Sequence, residues 1–288
     1  NVHKNKRRGR ALIMTENQPP LHFMVIAAAS RGARFFIKKA LRQGHDVTAL
    51  CRADDDQAAL ERMNKLLQAT TLAQGGVKAS QKPGVLRTST KNILEAETYT
   101  SLLSDDASIN RVCCFVGVTT LRQMMNRNWQ LYTKTVRALV EGMRNSRWVE
   151  FFYHGSSGSE GIPGQNVALL PDNFKPRWVM NLGLKIPAAQ DCFESEKLLA
   201  KSSPAGMQFV VFRPAWLTTA PAQRSYGYCF DTTGIDKEEL PLREAKTTIS
   251  REDVAEEILR VATLSDEERV RYHGHGIYLV DMKSSYRN

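Results

Sequence analysis

The segment between residues 21 and 51 constrains the fold of this chain more than any other. An apolar run over 21–29 is followed by a helical pattern over 35–43, which Gly44 ends, and by a second apolar run over 45–51. Two strands joined by one helix lie parallel, because a parallel pair needs a crossover connection. The segment therefore predicts a βαβ unit.

The same alternation continues along the rest of the chain. Helical spacing predicts helices over 54–74, 96–103, 129–145, 188–202 and 251–263, and apolar runs predict strands over 85–88, 111–118, 149–154, 208–213 and 277–280. We expect Pro214 to end the strand at 208–213, and we expect irregular structure over 75–83 and 159–186. Regular alternation of strand and helix is typical of an α/β fold with a doubly wound parallel sheet. We predict one Rossmann-like domain, residues 21–288, after a basic N-terminal arm, residues 1–20.

Composition excludes several other classes of protein. Hydrophobic residues make up 42% and charged residues 24% of the chain, which is ordinary globular usage and argues against disorder. No apolar run reaches the roughly 18 to 20 residues that span a bilayer. The five cysteines are an odd number without metal-site spacing, which favours a reducing compartment without disulfides or structural metal.

The positive charge is concentrated at the amino terminus. The chain carries 40 Lys and Arg against 30 Asp and Glu, a net charge of +10, and half of that excess lies within residues 1–10. Such an arm suits an anionic surface, which we take to be RNA, lipid headgroups or an acidic protein. A solvated tail or the remnant of a targeting peptide is the alternative. Because the sequence begins with Asn1, we expect a processed mitochondrial protein on the matrix side, with a cytoplasmic location as the alternative.

Four stretches carry a resemblance to a known family. They are MVIAAASRGARFFIKKALRQGHDVTALCR near the start, AGMQFVVFRPAWLTTAP near residue 210, TISREDVAEEILRVA near residue 255, and the closing YHGHGIYLV. Together they resemble the atypical short-chain dehydrogenase/reductases of the NmrA-like, NAD(P)H-binding group, nearest to flavin reductase/biliverdin reductase B. The resemblance implies a dinucleotide site at the carboxyl ends of the strands.

The chain departs from this family in the loop that would hold the diphosphate. The family has Gly-x-x-Gly-x-x-Gly between the first strand and helix, and these glycines fall on Ala27, Ser30 and Ala33. Glycine lets the backbone approach a diphosphate closely, so we expect these side chains to displace it outwards. A register that uses Gly32 instead stays open.

Nearby cations indicate which dinucleotide would bind. Arg31, Arg34 and Arg52 lie where the loop and the second strand end, and the resemblance implies a 2′-phosphate there, hence NADP(H) rather than NAD(H). A solvated basic rim without cofactor is the alternative. The resemblance further places Asn92 beside the adenine.

Three more positions belong to the same predicted crevice. Gly117 and Pro214 lie at strand ends that face it. Trp216 either covers the nicotinamide or fills a pocket that has lost its cofactor.

This chain has other residue types at the two positions where the superfamily has its catalytic pair. The superfamily's Tyr-x-x-x-Lys pair falls on Ala188 and Cys192 in one register, and on Phe193 and Lys197 in another. Both registers lack the hydroxyl that would donate a proton.

Flavin and biliverdin reductases often manage without that tyrosine, with a serine at a strand end that steadies the site. Ser156 or Ser157 matches this serine, although a local turn is the alternative interpretation. His154 is either a proton donor or a hydrogen-bonded strand-end residue. We interpret His273 and His275 as loop residues and predict no metal site.

Three functions remain open at this point. The first is a degenerate family member that serves as an accessory subunit of a large organellar assembly, such as respiratory complex I, with protein subunits as partners. The second is an active NADPH-dependent reductase of a flavin or another conjugated small molecule. The third is a sensor that binds NADP(H) without turnover.

Overall fold

The computed structural model describes residues 19–73, 82–117, 120–126, 128, 130–156, 186–202, 206–224, 226–230 and 248–281. Residues 1–18 of the predicted arm, Ser157, and all but the last residue of the predicted irregular segment 159–186 lie outside the described residues.

The described residues form ten strands and eight α-helices. The strands are β1 (His22–Ile26), β2 (Asp46–Leu50), β3 (Leu86–Ser89), β4 (Ile109–Cys114), β5 (Glu150–His154), β6 (Phe209–Pro214), β7 (Trp216–Thr218), β8 (Tyr226–Phe230), β9 (Thr248–Ser250) and β10 (His275–Asp281). The helices are α1 (Arg31–Arg42), α2 (Asp56–Gln68), α3 (Ala96–Asp105), α4 (Leu121–Met124), α5 (Leu131–Arg144), α6 (Pro187–Ser202), α7 (Arg251–Ala262) and α8 (Asp266–Arg269), with a 3₁₀ turn at Val270–Tyr272.

Eight of these strands form one sheet, in the order β3-β2-β1-β4-β5-β6-β10-β8. Seven of them run parallel, and β8 pairs antiparallel with β10 at the edge. The strands β7 and β9 form a separate parallel pair. The predicted doubly wound, Rossmann-like α/β sheet is therefore confirmed. Its order reverses between β1 and β4, which is the crevice where such sheets bind ligands.

Two apolar layers cover the two faces of this sheet. Every residue of β1 is buried, as expected for a central parallel strand. Phe23 and Val25 pack into the layer that contains α1, α2 and α7. Met24 and Ile26 point the other way, into the layer that contains α3, α5 and α6.

Several predicted boundaries differ from the structure. The first strand ends at Ile26 rather than at residue 29, because the chain turns at Ala27. The predicted strand to 118 ends at Cys114, and the predicted helix to 74 ends at Gln68.

The predicted strand over 208–213 corresponds to β6, Phe209–Pro214; it ends at Pro214 as expected, but Pro214 itself belongs to the strand and pairs with Leu279. Proline is tolerated there because the next amide, that of Ala215, donates to the Leu279 carbonyl at 2.9 Å. His275, expected in a loop, is the first residue of β10.

A buried ion pair ties β6 to α6. Arg213 Nη2 lies 2.6 Å from Glu196 Oε2, and both side chains are fully buried. A Cβ atom at Gly276 would lie 2.4 Å from Arg213 Nη1, so the guanidinium fits only because β10 has a glycine at that position. The pair fixes the strand that leads to Pro214 at the carboxyl edge.

No helix within the described residues combines the length and the apolar character needed to span a membrane.

Candidate functional site

The turn after β1 keeps a glycine-like backbone without glycine. Ala27 has a φ of 58°, in the left-handed region that costs a residue with a Cβ roughly 1 to 2 kcal/mol. The turn is closed by two hydrogen bonds, from the Ser30 amide to the Ala27 carbonyl at 2.9 Å and from the Ala28 amide to the Leu50 carbonyl at 3.0 Å. The turn therefore has a backbone conformation that glycine adopts without strain.

Ser30, at the second glycine position, caps α1. Its Oγ accepts a hydrogen bond from the Ala33 amide at 3.3 Å, and its backbone is extended. The hydroxyl is thus folded back onto its own helix. The amides of Arg31 and Gly32 belong to the first turn and have no intrahelical acceptor, so they remain suited to an anion.

The third glycine position differs from the other two. Ala33 is fully buried in the core, so its methyl group does not enter the crevice. A Cβ at Gly32 would lie 3.4 Å from Cδ1 of Phe115, which shows that the segment after β4 packs against the start of α1. The steric obstacle expected from the sequence therefore concerns Ala27 and Ser30 alone.

Two of the predicted arginines, Arg31 and Arg34, lie in the first turn of α1. Arg31 is exposed and Arg34 is partly buried, and the Arg34 Nε is buried without a hydrogen-bond partner among the described residues. Burial, together with the nearby Arg31, lowers the pKa of Arg34. Neither arginine forms an ion pair within the described part of the chain. A guanidinium in such a position gains a partner only from an anionic ligand or from residues beyond those described.

Sequence reasoning missed a third arginine of this group, Arg251. It is the first residue of α7, and burial and Arg31 lower its pKa. It also lies near enough to His154 to act on that imidazole. The signal was present in the sequence, since both helices begin with Ser-Arg: Ser30-Arg31 and Ser250-Arg251.

Two more of the predicted cofactor residues, Arg52 and Asn92, follow strands that end at this edge. Arg52 is exposed after β2, and its carbonyl accepts from Arg62 Nη1 at 2.5 Å. Asn92 uses its amide locally, because Oδ1 accepts from the Leu94 amide at 3.1 Å and Nδ2 donates to Glu95 at 2.7 Å.

Gly117 and Trp216, two further predicted cofactor residues, are exposed to solvent. Gly117 is exposed, and a Cβ there would be 3.8 Å from the Tyr132 hydroxyl. Trp216 begins β7 directly beyond the carboxyl end of β6, and 69% of its surface is exposed. It therefore does not fill an emptied pocket, and its indole is available for stacking.

The residues at the end of β5 provide limited acid–base chemistry. Burial and the nearby Arg251 lower the pKa of His154 to about 4, although its own backbone raises it in part. The imidazole is therefore neutral at pH 7 and acts as a hydrogen-bonding group rather than an acid. Ser156 follows it and is exposed, whereas Ser157 lies outside the described residues.

Neither register of the family's Tyr-Lys pair places a hydroxyl on α6. Ala188 and Cys192 are 5% and 2% exposed and belong to the core. In the other register Lys197 lies with Nζ 5.3 Å from the Phe193 ring centroid and pairs with Glu194 at 3.3 Å. The described part of α6 therefore offers no tyrosine to donate a proton.

Metal chemistry has no support in the described residues. They contain no group of three or more His, Cys, Asp or Glu that could hold an ion. His273 instead pairs with Glu150, its Nε2 lying 2.7 Å from Oε1, at the opposite edge of the sheet. The described cysteines whose side chains are placed, namely Cys51, Cys113, Cys114 and Cys192, are free and buried.

The comparisons with known proteins agree with this geometry at the level of the fold. No protein-family model matches the sequence, and no curated protein is similar to it in sequence. Many solved structures are similar in fold. A protein from Lactobacillus casei is 18% identical with a TM-score of 0.58, covering 91% of this chain and 100% of its own.

Two other similar structures have more informative names. A short-chain dehydrogenase/reductase (wide type) from Veillonella parvula, solved in complex with NADP, is 14% identical with a TM-score of 0.55, covering 90% of this chain and 94% of its own. A protein from Streptococcus pneumoniae, provisionally named an NADH-flavin reductase, is 15% identical with a TM-score of 0.54, covering 91% and 99%. The chain has the fold of NAD(P)-binding reductase-like proteins. At these identities the likeness concerns the fold alone.

Proposed function

We propose that this protein binds NADP(H) at the carboxyl edge of its sheet and does not use a tyrosine as proton donor. The observation that carries the proposal is the start of α1, where Arg31 and Arg34 have no acidic partner in the described residues and the Arg34 Nε is buried without a hydrogen bond. A partly desolvated cation at a helix amino terminus is unfavourable alone and favourable beside a phosphate.

The residues at this edge fit the phosphate groups of such a cofactor. Ala27 keeps the left-handed turn, and the free amides of the first helical turn face the same edge as the two arginines. Ser30, Arg31, Gly32 and Arg34 would hold the phosphates. When bound, the cofactor supplies a hydride from its nicotinamide ring.

The other residues at this edge determine which second molecule could bind beside the cofactor. The neutral His154 and the exposed Ser156 can orient a second molecule by hydrogen bonds. The exposed Trp216 can stack on a flat ring. With no Tyr-Lys pair in the described part of α6, acceptors that need a proton at the moment of reduction are disfavoured. This leaves electron-accepting rings such as flavins, or binding without turnover.

A titration of the protein with NADPH and NADH tests this proposal. We expect NADPH to bind more tightly, and the Arg34→Gln variant to weaken NADPH at least tenfold, the typical loss for one charge-assisted contact. Arg42→Gln is the matched control, because Arg42 is exposed at the far end of the same helix. No detectable binding at millimolar NADPH would overturn the proposal.

An accessory subunit of an organellar assembly is the second candidate. It is favoured by the side chains of Ala27 and Ser30 at glycine positions and by the lack of a Tyr-Lys pair. It predicts that the native protein migrates with a large complex on a sucrose gradient of a mitochondrial extract, and that it binds no dinucleotide. A monomeric protein in the cytoplasmic fraction would contradict both the assembly and the mitochondrial location.

A further inference from the structure

We infer that Arg251 is a third phosphate-binding residue of the carboxyl edge, and that the buried Lys39 positions it beside Arg31 and Arg34. This inference deepens the proposed function and rests on it. Neither residue follows from the family's glycine loop, because one begins a late helix and the other lies in the middle of α1.

The first observation is that two helices begin in the same way at the same edge. The start of α1 has Ser30 as its cap, and the start of α7 has Ser250, whose Oγ accepts from the Asp253 amide at 3.0 Å. Each cap is followed by an arginine. The two helices pack against each other, and Arg251 lies near enough to Arg31 for the two positive charges to disfavour each other.

The second observation is the contact that holds these helices together. Lys39 is 1% exposed, and its Nζ lies 3.0 Å from Glu252 Oε1 and 2.8 Å from Glu256 Oε2. Both carboxylates belong to the first two turns of α7 and are buried. Because the charges are desolvated, this contact permits little change in the relative position of α1 and α7. It therefore sets where Arg251 lies with respect to Arg31.

The third observation is that the acids nearest to Arg251 in sequence are engaged elsewhere. Glu252 pairs with Lys39 and also accepts from the Ala73 amide at 3.1 Å. Asp253 accepts from the Gln223 and Arg224 amides at 2.9 and 3.0 Å. Arg251 itself forms no ion pair within the described residues.

Three guanidinium groups without acids at one edge are suited to a phosphate. Arg31 disfavours the charged forms of both Arg34 and Arg251, so the cluster is unfavourable until an anion joins it. Phosphate oxygens accept several guanidinium hydrogen bonds at once. The chemistry is shared by a dinucleotide phosphate and by free pyrophosphate, and the experiment separates these two sources.

The test measures the affinity of inorganic pyrophosphate and of NADPH by calorimetry, and urea unfolding, for each variant. Arg251→Gln should weaken both ligands about tenfold and should not lower the unfolding midpoint of the ligand-free protein, because the charge-assisted contact is lost from the bound state only. Lys39→Met should weaken both ligands several-fold, and Lys39→Arg should restore most of the affinity.

Lys38→Met is the matched control for Lys39. Lys38 lies next to it on α1, but its Nζ donates to the Leu67 and Thr70 carbonyls at 2.7 and 2.6 Å, away from α7. This variant should lose stability without losing affinity. If Lys39→Met does not fold, Glu256→Gln removes one partner of the same contact and serves in its place.

The outcomes separate the inference from the proposed function. If NADPH binds equally well to the wild type and to Arg251→Gln, the inference is overturned and the proposed function stands. If pyrophosphate binding depends on Arg251 but NADPH does not bind, the inference stands and the proposed function fails. If the wild type binds neither ligand, both are overturned. Unchanged affinity in a folded Lys39→Met variant overturns the positioning role.

Discussion

Arginines at the two edges of the sheet have opposite surroundings. At the amino edge, Glu150 lies between Arg111 and Arg269, at 2.7 and 2.6 Å, and Arg147 donates to backbone carbonyls such as that of Leu103 at 3.1 Å. At the carboxyl edge, the described residues offer no acid to the three arginines at the starts of α1 and α7.

This difference separates structural cations from cations available to a ligand. The amino-edge arginines line a cleft of about 390 Å³, yet their charges are already used within the protein. The carboxyl-edge arginines line the place where parallel sheets bind ligands, and their charges are not used. The pairing of the cations therefore indicates the functional edge better than the size of a cleft does.

The largest expected effect comes from breaking the pairing at the amino edge. Glu150→Gln should lower the free energy of unfolding by about 3 kcal/mol, because it removes the buried carboxylate that the buried Arg269 and the partly buried Arg111 share. Ligand affinity should not change. Urea unfolding checks this, with the exposed Glu267→Gln as the control that should stay within about 0.5 kcal/mol of wild type. A small loss for Glu150→Gln would remove the distinction between the two edges.

The stabilisation that the Glu150 contact provides should decrease at low pH. Burial raises the pKa of Glu150, but His273, Arg269 and Arg111 outweigh it and lower the pKa overall. The stabilisation is therefore present above the ordinary glutamate pKa and is lost as pH falls below it. The difference between wild type and Glu150→Gln should shrink over that range.

A second effect of similar size belongs to the carboxyl edge. The pKa of His154 is lowered from 6.5 to about 4, so the unfolded chain takes up a proton before the folded protein does. The contribution of this group to stability is present above pH 6.5 and falls towards pH 4, by roughly 2 to 3 kcal/mol at pH 4.5. Urea unfolding of wild type and His154→Asn at pH 7.5 and 4.5 measures it. An equal acid loss in both proteins would show that His154 does not contribute.

A smaller effect of opposite sign is expected at Ala27. Ala27→Gly should raise the free energy of unfolding by about 0.5 to 1 kcal/mol, since relief of the left-handed strain exceeds the added entropy of the unfolded chain. Ala28→Gly is the control, because Ala28 is buried without a positive φ and should lose stability instead. Thermal unfolding distinguishes the two, and a loss in both variants would contradict the prediction.

The smallest effect tests the unpaired cations directly. Arg34→Gln should raise stability by a few tenths of a kcal/mol at low salt, because it removes repulsion from Arg31. The gain should vanish at high salt, where exposed charges are screened. Arg42→Gln should change nothing. A loss of stability on removing Arg34 would indicate a structural partner and would place it with the amino-edge arginines.

The order of strands and helices was predictable from the sequence, whereas several details were not. The βαβ unit and the long parallel strands follow from apolar runs and from Gly44. The strands β7 and β9 were not predicted because each has only three residues, and they pair with each other across a long stretch of chain. The strand β8 was not predicted because its antiparallel pairing depends on the distant β10. The turn at Ala27 escaped prediction because alanine rarely adopts that conformation, and only the surrounding hydrogen bonds impose it.

For the candidate site, the sequence indicated Arg31 and Arg34 because they follow the loop that resembles the family's glycine loop. It did not indicate Arg251, which is 217 residues from Arg34 along the chain and approaches it only through the packing of α7 on α1. Local patterns identify what one loop contributes. The partner that a distant helix brings to that loop is a property of tertiary structure.

The buried Arg213 has a consequence for how this chain can vary. Its guanidinium occupies the volume beside Gly276, while its carboxylate partner Glu196 lies where a Cβ at Gly155 would come within 3.2 Å. A change at any one of these four positions leaves a collision or an isolated charge. We therefore expect homologous sequences to keep all four residues or to replace them as a set.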